Sequence, residues 1–156
     1  MLTGSTTRDE ALYREHAQEL TAFATSLVGP DAAPDAVSAA VVSVFSSAGW
    51  DRVAQPRAYL YRAVYNECVR TARRDRTRRE RERTAAPRAD VELPTLRPEV
   101  ADAVRALSTQ QRAVIVLTYW QDLTIADVAD HLGISDGAVR KHLARARANL
   151  RSVLDE

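Results

Sequence analysis

The stretch TIADVADHLGISDGAVRKHLARARANL, residues 124–150, decides the fold of this chain. Thr124 is placed to cap the N-terminus of a short helix, and Gly133 stands where a helix end needs a left-handed residue. Ser135 is placed to cap a second helix. Two short helices joined by a three-residue turn that contains glycine predict a helix-turn-helix.

The second of these helices has one apolar and one basic face. At about 100° per residue, the residues that share a stripe expected to be buried are Val139, Leu143, Ala146 and Leu150. The residues that face the opposite way are Lys141, Ala144, Arg145 and Ala148, flanked by Arg140 and Arg151. The major groove of B-DNA admits such a helix, so the pattern favours DNA recognition. The alternative is a surface helix made soluble by arginine.

The rest of the chain also has helical periodicity. Apolar residues recur every three or four positions in predicted helices at residues 12–27, 34–48 and from Pro56 into an arginine-rich run. Further helices are predicted at residues 100–107 and 112–120. Because no alternating β-like pattern is visible, we predict an all-α fold.

Three prolines fall within twelve residues near the middle of the chain, at Pro87, Pro94 and Pro98. They lie in a stretch without helical period, so residues 84–98 are predicted to be a flexible linker between two small helical domains, residues 9–83 and 99–156. Fully extended, this linker reaches about 50 Å. The two domains are therefore expected to be able to occupy well-separated sites.

The net charge of +1 conceals a segregated distribution. Residues 9–51 sum to −6, residues 52–83 to +7 and residues 137–151 to +5. Two separate basic segments in a nearly neutral chain favour local contacts with a polyanion. The alternative is two solvated helix faces.

The sequence offers little for an enzyme. His16, His131 and His142 are scattered without a partner at metal-ligand spacing, and the single cysteine, Cys68, has no adjacent base. No glycine-rich phosphate-binding loop occurs. We therefore predict that the protein is not an enzyme and that it uses no metal or other cofactor. A secretory signal and a membrane span are not apparent, so a cytoplasmic protein is expected.

The motifs in and before the helix-turn-helix resemble a known family. They are LSTQQRAVIVL (107–117), LTIADVA (123–129), LGIS (132–135), GAVR (137–140) and RARANL (145–150). Together they closely resemble region 4 of bacterial RNA polymerase sigma factors, in the extracytoplasmic-function (ECF) group of the sigma-70 family. That region binds the −35 promoter element. The resemblance implies DNA contacts at Ser135, Arg140, Lys141, Ala144, Arg145 and Arg147.

The first half resembles regions 2.3 and 2.4 of the same group through PRAYLYRAVYN (56–66) and the arginines that follow. In that family this helix and the loop before it melt the −10 element and hold the exposed strand. Strand capture needs planar surfaces for unstacked bases and cations for the backbone. The implied −10 contacts are Trp50, Arg52, Tyr59, Tyr61, Arg62, Asn66, Arg73 and Arg74.

Several of these residues have a structural alternative. Tyr59 and Tyr61 cannot share a helix face, so at least one is expected to pack in the core. Trp50 suits a core position as well as a base contact. The run at residues 76–83, where arginine alternates with glutamate, is equally consistent with a solvated extension of the helix.

The segment APDAVSA, residues 33–39, departs from the family pattern. ECF sigma factors usually carry an Ala-Glu-Asp-Leu-Val-Gln-Glu-like stretch that docks on core polymerase. The corresponding polymerase-binding residues here are Asp35, Ala36, Val37 and Ser38. Because one acid remains and a serine replaces the glutamine, weaker docking is expected.

The resemblance thus predicts an ECF-type sigma factor that binds core RNA polymerase and directs initiation at −10 and −35 elements. Its implied partners are promoter DNA, core RNA polymerase and a candidate anti-sigma protein. Two alternatives stay open. One is a sigma-derived helix-turn-helix regulator that does not support initiation, and the other is an adaptor whose basic faces bind an acidic protein.

Overall fold

The computed structural model describes residues 2–82, 92–93 and 97–155, and within this part of the chain it is all-α, as predicted. The helices are α1 (Leu2–Val28), α2 (Ala33–Phe45), α3 (Pro56–Glu82), α4 (Pro98–Arg105), α5 (Thr109–Tyr119), α6 (Ile125–Leu132) and α7 (Asp136–Leu154). A 3-10 turn, Trp50–Arg52, precedes α3.

Glycine and proline set the helix boundaries in the first half. Gly29 and Gly49 adopt left-handed φ values of 87° and 83°, which cost glycine little. Pro34 lies in the first turn of α2 and Pro56 begins α3, where a missing N–H is tolerated. The helix predicted at residues 34–48 ends earlier, at Phe45, so Ala48 is exposed.

The helix-turn-helix has the capping that the sequence predicts. Thr124 Oγ1 accepts a hydrogen bond from the Asp127 N–H at 3.1 Å, and the Asp127 carboxylate accepts from the Thr124 N–H at 3.4 Å. Gly133 ends α6 with a left-handed φ of 68°. Ser135 Oγ accepts from the Ala138 N–H at 3.1 Å and caps α7. The predicted turn is confirmed.

The two faces of α7 are also as predicted. Val139, Leu143 and Ala146 are buried, while Leu150 is half-buried. The opposite face is exposed at Lys141, Ala144, Arg145 and Ala148. Because the apolar stripe holds the helix against α4, α5 and α6, the basic face is directed to solvent.

The two halves of the chain pack against each other. Helices α1, α2 and α3 form one bundle, α4 to α7 form another, and α1 and α3 contact α5 and α6 across the junction. A continuous cluster of buried residues runs through both bundles. Of the predicted linker, residues 84–91 and 94–96 lie outside the described residues, and Leu93 packs against the core. In this arrangement the halves are docked together rather than placed at separate sites.

Candidate nucleic-acid interface

The α7 face predicted to bind DNA is open to solvent. Arg140, Lys141, Ala144 and Arg145 are all exposed. Lys141 and Arg145 lie one turn apart with the small Ala144 side chain beside them, so the helix is able to approach a groove closely. This arrangement suits a recognition helix whose N-terminal half contacts base edges.

Two further predicted residues are engaged within the domain. Ser135 Oγ accepts the hydrogen bond that caps α7, and its O–H remains available to donate. Arg147 Nε donates to the Tyr119 hydroxyl at 2.9 Å, and its guanidinium lies 5.8 Å from the centre of that ring. Tyr119 therefore fixes Arg147 at the edge of the basic face.

His142 lies beside these cations and adds no charge to them. Burial lowers its pKa, and the positive charges of Arg145 and Lys141 lower it further. The imidazole is therefore neutral near pH 7. The basic face consists of guanidinium and ammonium groups alone.

A cavity of about 320 Å³ lies between α2 and α3. Tyr59, Arg62 and Asn66 line it from α3, and Ser43 and Ser47 line it from the α2 side. A ring, a guanidinium, an amide and hydroxyls supply both a stacking surface and hydrogen-bonding groups for an extruded base. The structure thus brings together three of the eight predicted −10 residues.

The other arginines predicted to contact the −10 element lie outside the cavity. Arg73 and Arg74 are exposed further along α3, where they line a shallow groove with Thr77, Arg78 and Arg81. Arg52 is exposed at the end of the 3-10 turn. These positions suit phosphate contacts.

Trp50 and Tyr61 are core residues in this structure, which corrects their prediction as base contacts. Trp50 is 3% exposed, its Nε1 donates to Asp9 Oδ1 at 2.8 Å, and its ring packs on Phe45. Tyr61 is completely buried against Phe23. The structural alternative is therefore correct for both residues, and of the Tyr59–Tyr61 pair it is Tyr59 that reaches the surface.

The predicted polymerase-binding residues divide between surface and core. Asp35 and Ser38 are exposed on α2, whereas Ala36 and Val37 are buried against the bundle and offer no surface to a partner. Ala36 and Val37 are thus corrected. Val42 continues the exposed face and is 64% exposed. Its spacing of four from Ser38 and seven from Asp35 was the signal that sequence reasoning missed.

A polar cluster at the junction of the two halves had no sequence signal. Arg57 of α3 donates to Glu19 Oε1 of α1 at 2.8 Å and to Gln121 Oε1, after α5, at 2.9 Å. The His131 Nε2 of α6 lies 3.5 Å from Arg57 Nη1, while its Nδ1 lies 2.7 Å from the Asp127 carbonyl oxygen. Because a carbonyl only accepts, Nδ1 carries the proton and Nε2 accepts from Arg57.

The charges in this cluster depend on one another. Burial raises the pKa of Glu19, but the hydrogen bond and charge of Arg57, joined by His16, outweigh burial and leave the pKa below its ordinary value. Burial lowers the pKa of His131, and the charge of Arg57 opposes protonation further, against the opposing effect of the Asp127 hydrogen bond. The packed arrangement therefore favours an ionised Glu19 and a neutral His131.

Arg112 forms a second contact across the junction. The side chain is 7% exposed and donates from Nη1 to the carbonyl oxygens of Ser26 and Leu27, at 3.3 and 3.0 Å, at the end of α1. It also donates to the carbonyls of Val104, Arg105 and Leu107. A cation at a helix C-terminus is favoured by the helix dipole. Arg112 thus joins the end of α1 to the α4–α5 turn.

The helix-turn-helix and the cationic α3 together define an all-α DNA-binding protein with two modules. A family model for sigma-70 region 2 matches residues 12–79, and one for sigma-70 region 4 matches residues 97–150. The chain belongs to the ECF group of the sigma-70 family, which consists of promoter-recognising transcription initiation factors.

Curated relatives agree with that assignment. The chain is 36% identical to the ECF RNA polymerase sigma factor SigM of Mycobacterium tuberculosis H37Rv, over 93% of this chain and 76% of the relative. It is 31% identical to SigL of the same strain, over 94% of this chain and 88% of the relative.

Solved structures agree on the fold. One is CnrH in complex with the cytosolic domain of CnrY, with TM-score 0.64, 26% identity and coverage of 98% of this chain and 91% of that one. Another is the sigma factor RpoE with the anti-sigma factor NepR from Bartonella quintana, with TM-score 0.69, 22% identity and coverage of 94% and 96%. In the described part of the present chain, none of the helices is sufficiently long and apolar to cross a membrane.

Proposed function

We propose that α7 of this sigma factor binds the −35 element while the cavity face of α3 holds a base of the melted −10 element. The observation that carries the proposal is the exposed basic face of α7, with Arg140, Lys141 and Arg145 on a correctly capped helix-turn-helix. The role is positional rather than catalytic, and it is exercised in the cytoplasm, where the polymerase works.

At the −35 element the side chains divide between bases and backbone. Arg140 and Lys141 lie near the start of α7, the part of a recognition helix that reaches base edges. Arg147, fixed by Tyr119, lies at the edge of the face and suits a phosphate. Because phosphate contacts release counterions, promoter affinity falls steeply with salt.

At the −10 element the cavity between α2 and α3 receives an unstacked base. Tyr59 supplies a stacking surface, Asn66 offers an amide to the base edge, and Arg62 places a cation beside the strand. Arg52, Arg73 and Arg74 bind the backbone around this point.

The exposed face of α2 docks on core polymerase. Asp35 and Ser38 supply polar contacts, and Val42 supplies an apolar surface beside them. Ala36 and Val37 act indirectly, because their burial holds α2 in place.

The packed halves must separate on a promoter. Elements at −10 and −35 lie about 25 base pairs apart, or about 85 Å at 3.4 Å per pair. A compact chain of 156 residues has a radius of gyration of only about 15 Å. The junction formed by Arg57, His131 and Arg112 therefore opens when both elements are bound.

An anti-sigma protein is a third candidate partner. Among solved structures of similar fold, the sigma factor RpoE was solved with the anti-sigma factor NepR, and CnrH was solved with the cytosolic domain of CnrY. A protein that binds across the junction of this chain would stabilise the packed arrangement and so exclude the separation that promoter binding needs.

The decisive experiment is capture of core polymerase followed by run-off transcription. We expect the chain to co-purify with core polymerase and to start RNA at defined promoters. Binding to DNA without initiation would support the sigma-derived regulator instead. Absence of DNA affinity in a low-salt shift assay, with binding to an acidic protein, would support the adaptor.

Replacement of recognition-helix cations tests the −35 assignment. Lys141→Ala or Arg145→Ala should cost about 1–3 kcal/mol of promoter binding where the side chain contacts a base. Arg14→Ala on the exposed surface of α1 removes the same charge and should have little effect. Binding of holoenzyme to promoters with single changes at −35 supplies the measurement. An equal loss on every sequence would reassign the residue to the backbone.

A further inference from the structure

The exposed face of α3 continues well beyond the cavity. At about 100° per residue, Asn66, Arg70, Arg74 and Arg81 fall within about 80° of one another. Arg73, Thr77 and Arg78 widen the same stripe, and the groove along it is lined by Arg73, Arg74, Thr77, Arg78 and Arg81. The cavity and the arginines therefore lie on one continuous surface. We call the distal part of that surface, formed by residues 73, 74, 77, 78 and 81, the arginine face.

Within residues 2–82, 92–93 and 97–155, the packing leaves this face open. Arg57 and Tyr61, which contact α6 through His131, lie about 140–180° around α3 from Arg70. Arg76 and Arg79 point to a separate cavity with α4 and α5. The second half of the molecule thus covers the opposite side of α3, and the arginine face stays exposed in the packed arrangement.

Two of the four acids of α3, Glu67 and Asp75, have contacts away from the arginine face, whereas Glu80 and Glu82 are exposed on either side of Arg81 near its distal end. Glu67 pairs with Arg70 at 2.7 Å, which leaves the more distal arginines to other partners. Asp75 lines the cavity against α4 and α5. Arg74, Arg78 and Arg81 recur at spacings of four and three, a rise of about 6 and 4.5 Å. A row of exposed cations at this pitch fits a regular row of phosphates.

We propose that Arg78 and Arg81, with Arg73 and Arg74, bind the phosphate backbone of the duplex between the −10 and −35 elements. This inference rests on the proposed function. In this proposal the distal end of α3 is directed upstream, toward the −35 module that follows it in the chain. Arg81 lies 15 residues beyond Asn66, about 22 Å along the helix, which places the contacts within about seven base pairs of the base in the cavity.

The test compares two pairs of alanine substitutions in holoenzyme. Arg78→Ala with Arg81→Ala removes two charges from the arginine face. Arg14→Ala with Arg76→Ala removes two exposed charges outside it. Log affinity falls with log salt, and the slope of that fall counts the phosphate contacts. On a promoter with an intact spacer duplex, the first pair should make the slope shallower by about 2, while the control pair leaves it unchanged.

A second template identifies where the contact lies. A single-stranded −10 oligonucleotide without spacer duplex should bind the Arg78/Arg81 variant and the unchanged chain equally. Equal losses on both templates, or an unchanged salt slope, would overturn the inference. Weaker binding to core polymerase would also overturn it, by assigning the arginine face to an acidic protein surface. Initiation by the unchanged chain tests the proposed function separately.

Discussion

At the scale of single residues, Gly133 combines two requirements. Its φ of 68° strains any residue with a side chain, and a Cβ built there would overlap the Arg62 side chain. Arg62 of the first half thus packs over the helix-turn-helix turn of the second half. The glycine serves both the turn and the junction.

Gly133→Ala should therefore be destabilising for two separable reasons. The left-handed backbone costs an alanine about 1–2 kcal/mol, and displacement of Arg62 adds to it. Gly49→Ala is the matched control, because Gly49 has a φ of 83° and no atom lies within 4 Å of where a Cβ would stand. Denaturant unfolding is the measurement. If Arg62→Ala does not reduce the cost of Gly133→Ala, the displacement of Arg62 contributes nothing and the cost is that of the left-handed backbone alone.

His131 should make stability depend on pH. The unfolded chain protonates this histidine near its ordinary pKa of 6.5, whereas burial lowers the pKa in the folded state. Below that pH the unfolded state binds more protons, so stability is present at neutral pH and falls as the pH drops through 6.5. The contribution of Glu19, whose pKa is lowered, is lost in a more acidic range, below its ordinary 4.5.

The measurement is the free energy of unfolding between pH 5 and 7.5, compared with His131→Gln. His142 has a lowered pKa as well, so the difference between the two proteins isolates His131. We expect the free energy of unfolding of the His131→Gln variant to decline less steeply as the pH falls. If both proteins decline at the same rate, protonation of His131 is not coupled to unfolding.

At the scale of elements, α7 depends on its cap as much as on its apolar stripe. Ser135 was predicted to contact DNA, and the structure uses its hydroxyl oxygen to accept from the Ala138 N–H. The two roles are compatible, since the O–H proton is still available to a phosphate.

Two substitutions separate these roles. Ser135→Ala should reduce stability by about 1 kcal/mol through loss of the cap, whereas Ser135→Asp should retain the cap. Aspartate repels phosphate, so the Asp variant should fold normally and bind promoter DNA more weakly. Thermal unfolding and promoter binding are measured on the same samples. Full DNA affinity in the Asp variant would remove Ser135 from the interface.

At the scale of the whole molecule, the junction is expected to control separation of the halves. Glu19 accepts from Arg57 at 2.8 Å and from His16 at 2.9 Å, and it depends on its charge for both. Both partners belong to the first half, so Glu19 acts on the junction by holding Arg57 where it reaches Gln121 and His131. Neutralising Glu19 should loosen that hold and weaken the junction without removing apolar contacts.

Glu19→Gln should therefore favour the separated state, with Glu15→Gln on the same helix as the control. Dyes at Ala11→Cys and Ser152→Cys report the separation by energy transfer. Burial raises the pKa of Cys68 to about 12, so this thiol stays protonated and unlabelled. We expect lower transfer efficiency for Glu19→Gln, and lower still when holoenzyme binds a promoter. Unchanged transfer on the promoter would contradict separation.

Local rules were sufficient for much of this structure. The caps at Thr124 and Ser135, the left-handed Gly133 and the faces of α7 follow from interactions within one or two turns. Helix boundaries at Pro34 and Pro56 follow for the same reason. The membership in a sigma-factor family also came from short motifs with fixed spacing.

Periodicity alone was insufficient for the first-half contacts. It showed that Tyr59 and Tyr61 lie on different faces but not which one faces the core. It likewise left Trp50 undecided, because its burial depends on Asp9 and Phe45 from other helices. Val42 is a different case: its helical spacing from Asp35 and Ser38 places it on their face, and the structure shows that this face is exposed.

The sequence by itself determined the helices, their caps and the basic recognition face, because these depend on neighbours a few positions away. Only the tertiary structure decided that the two halves dock, with Arg57 linking Glu19 to Gln121 and Arg112 bonded to the end of α1. Those contacts join residues 38 to 85 positions apart. No local pattern encodes such pairs, since each residue taken alone is equally compatible with a solvated helix surface.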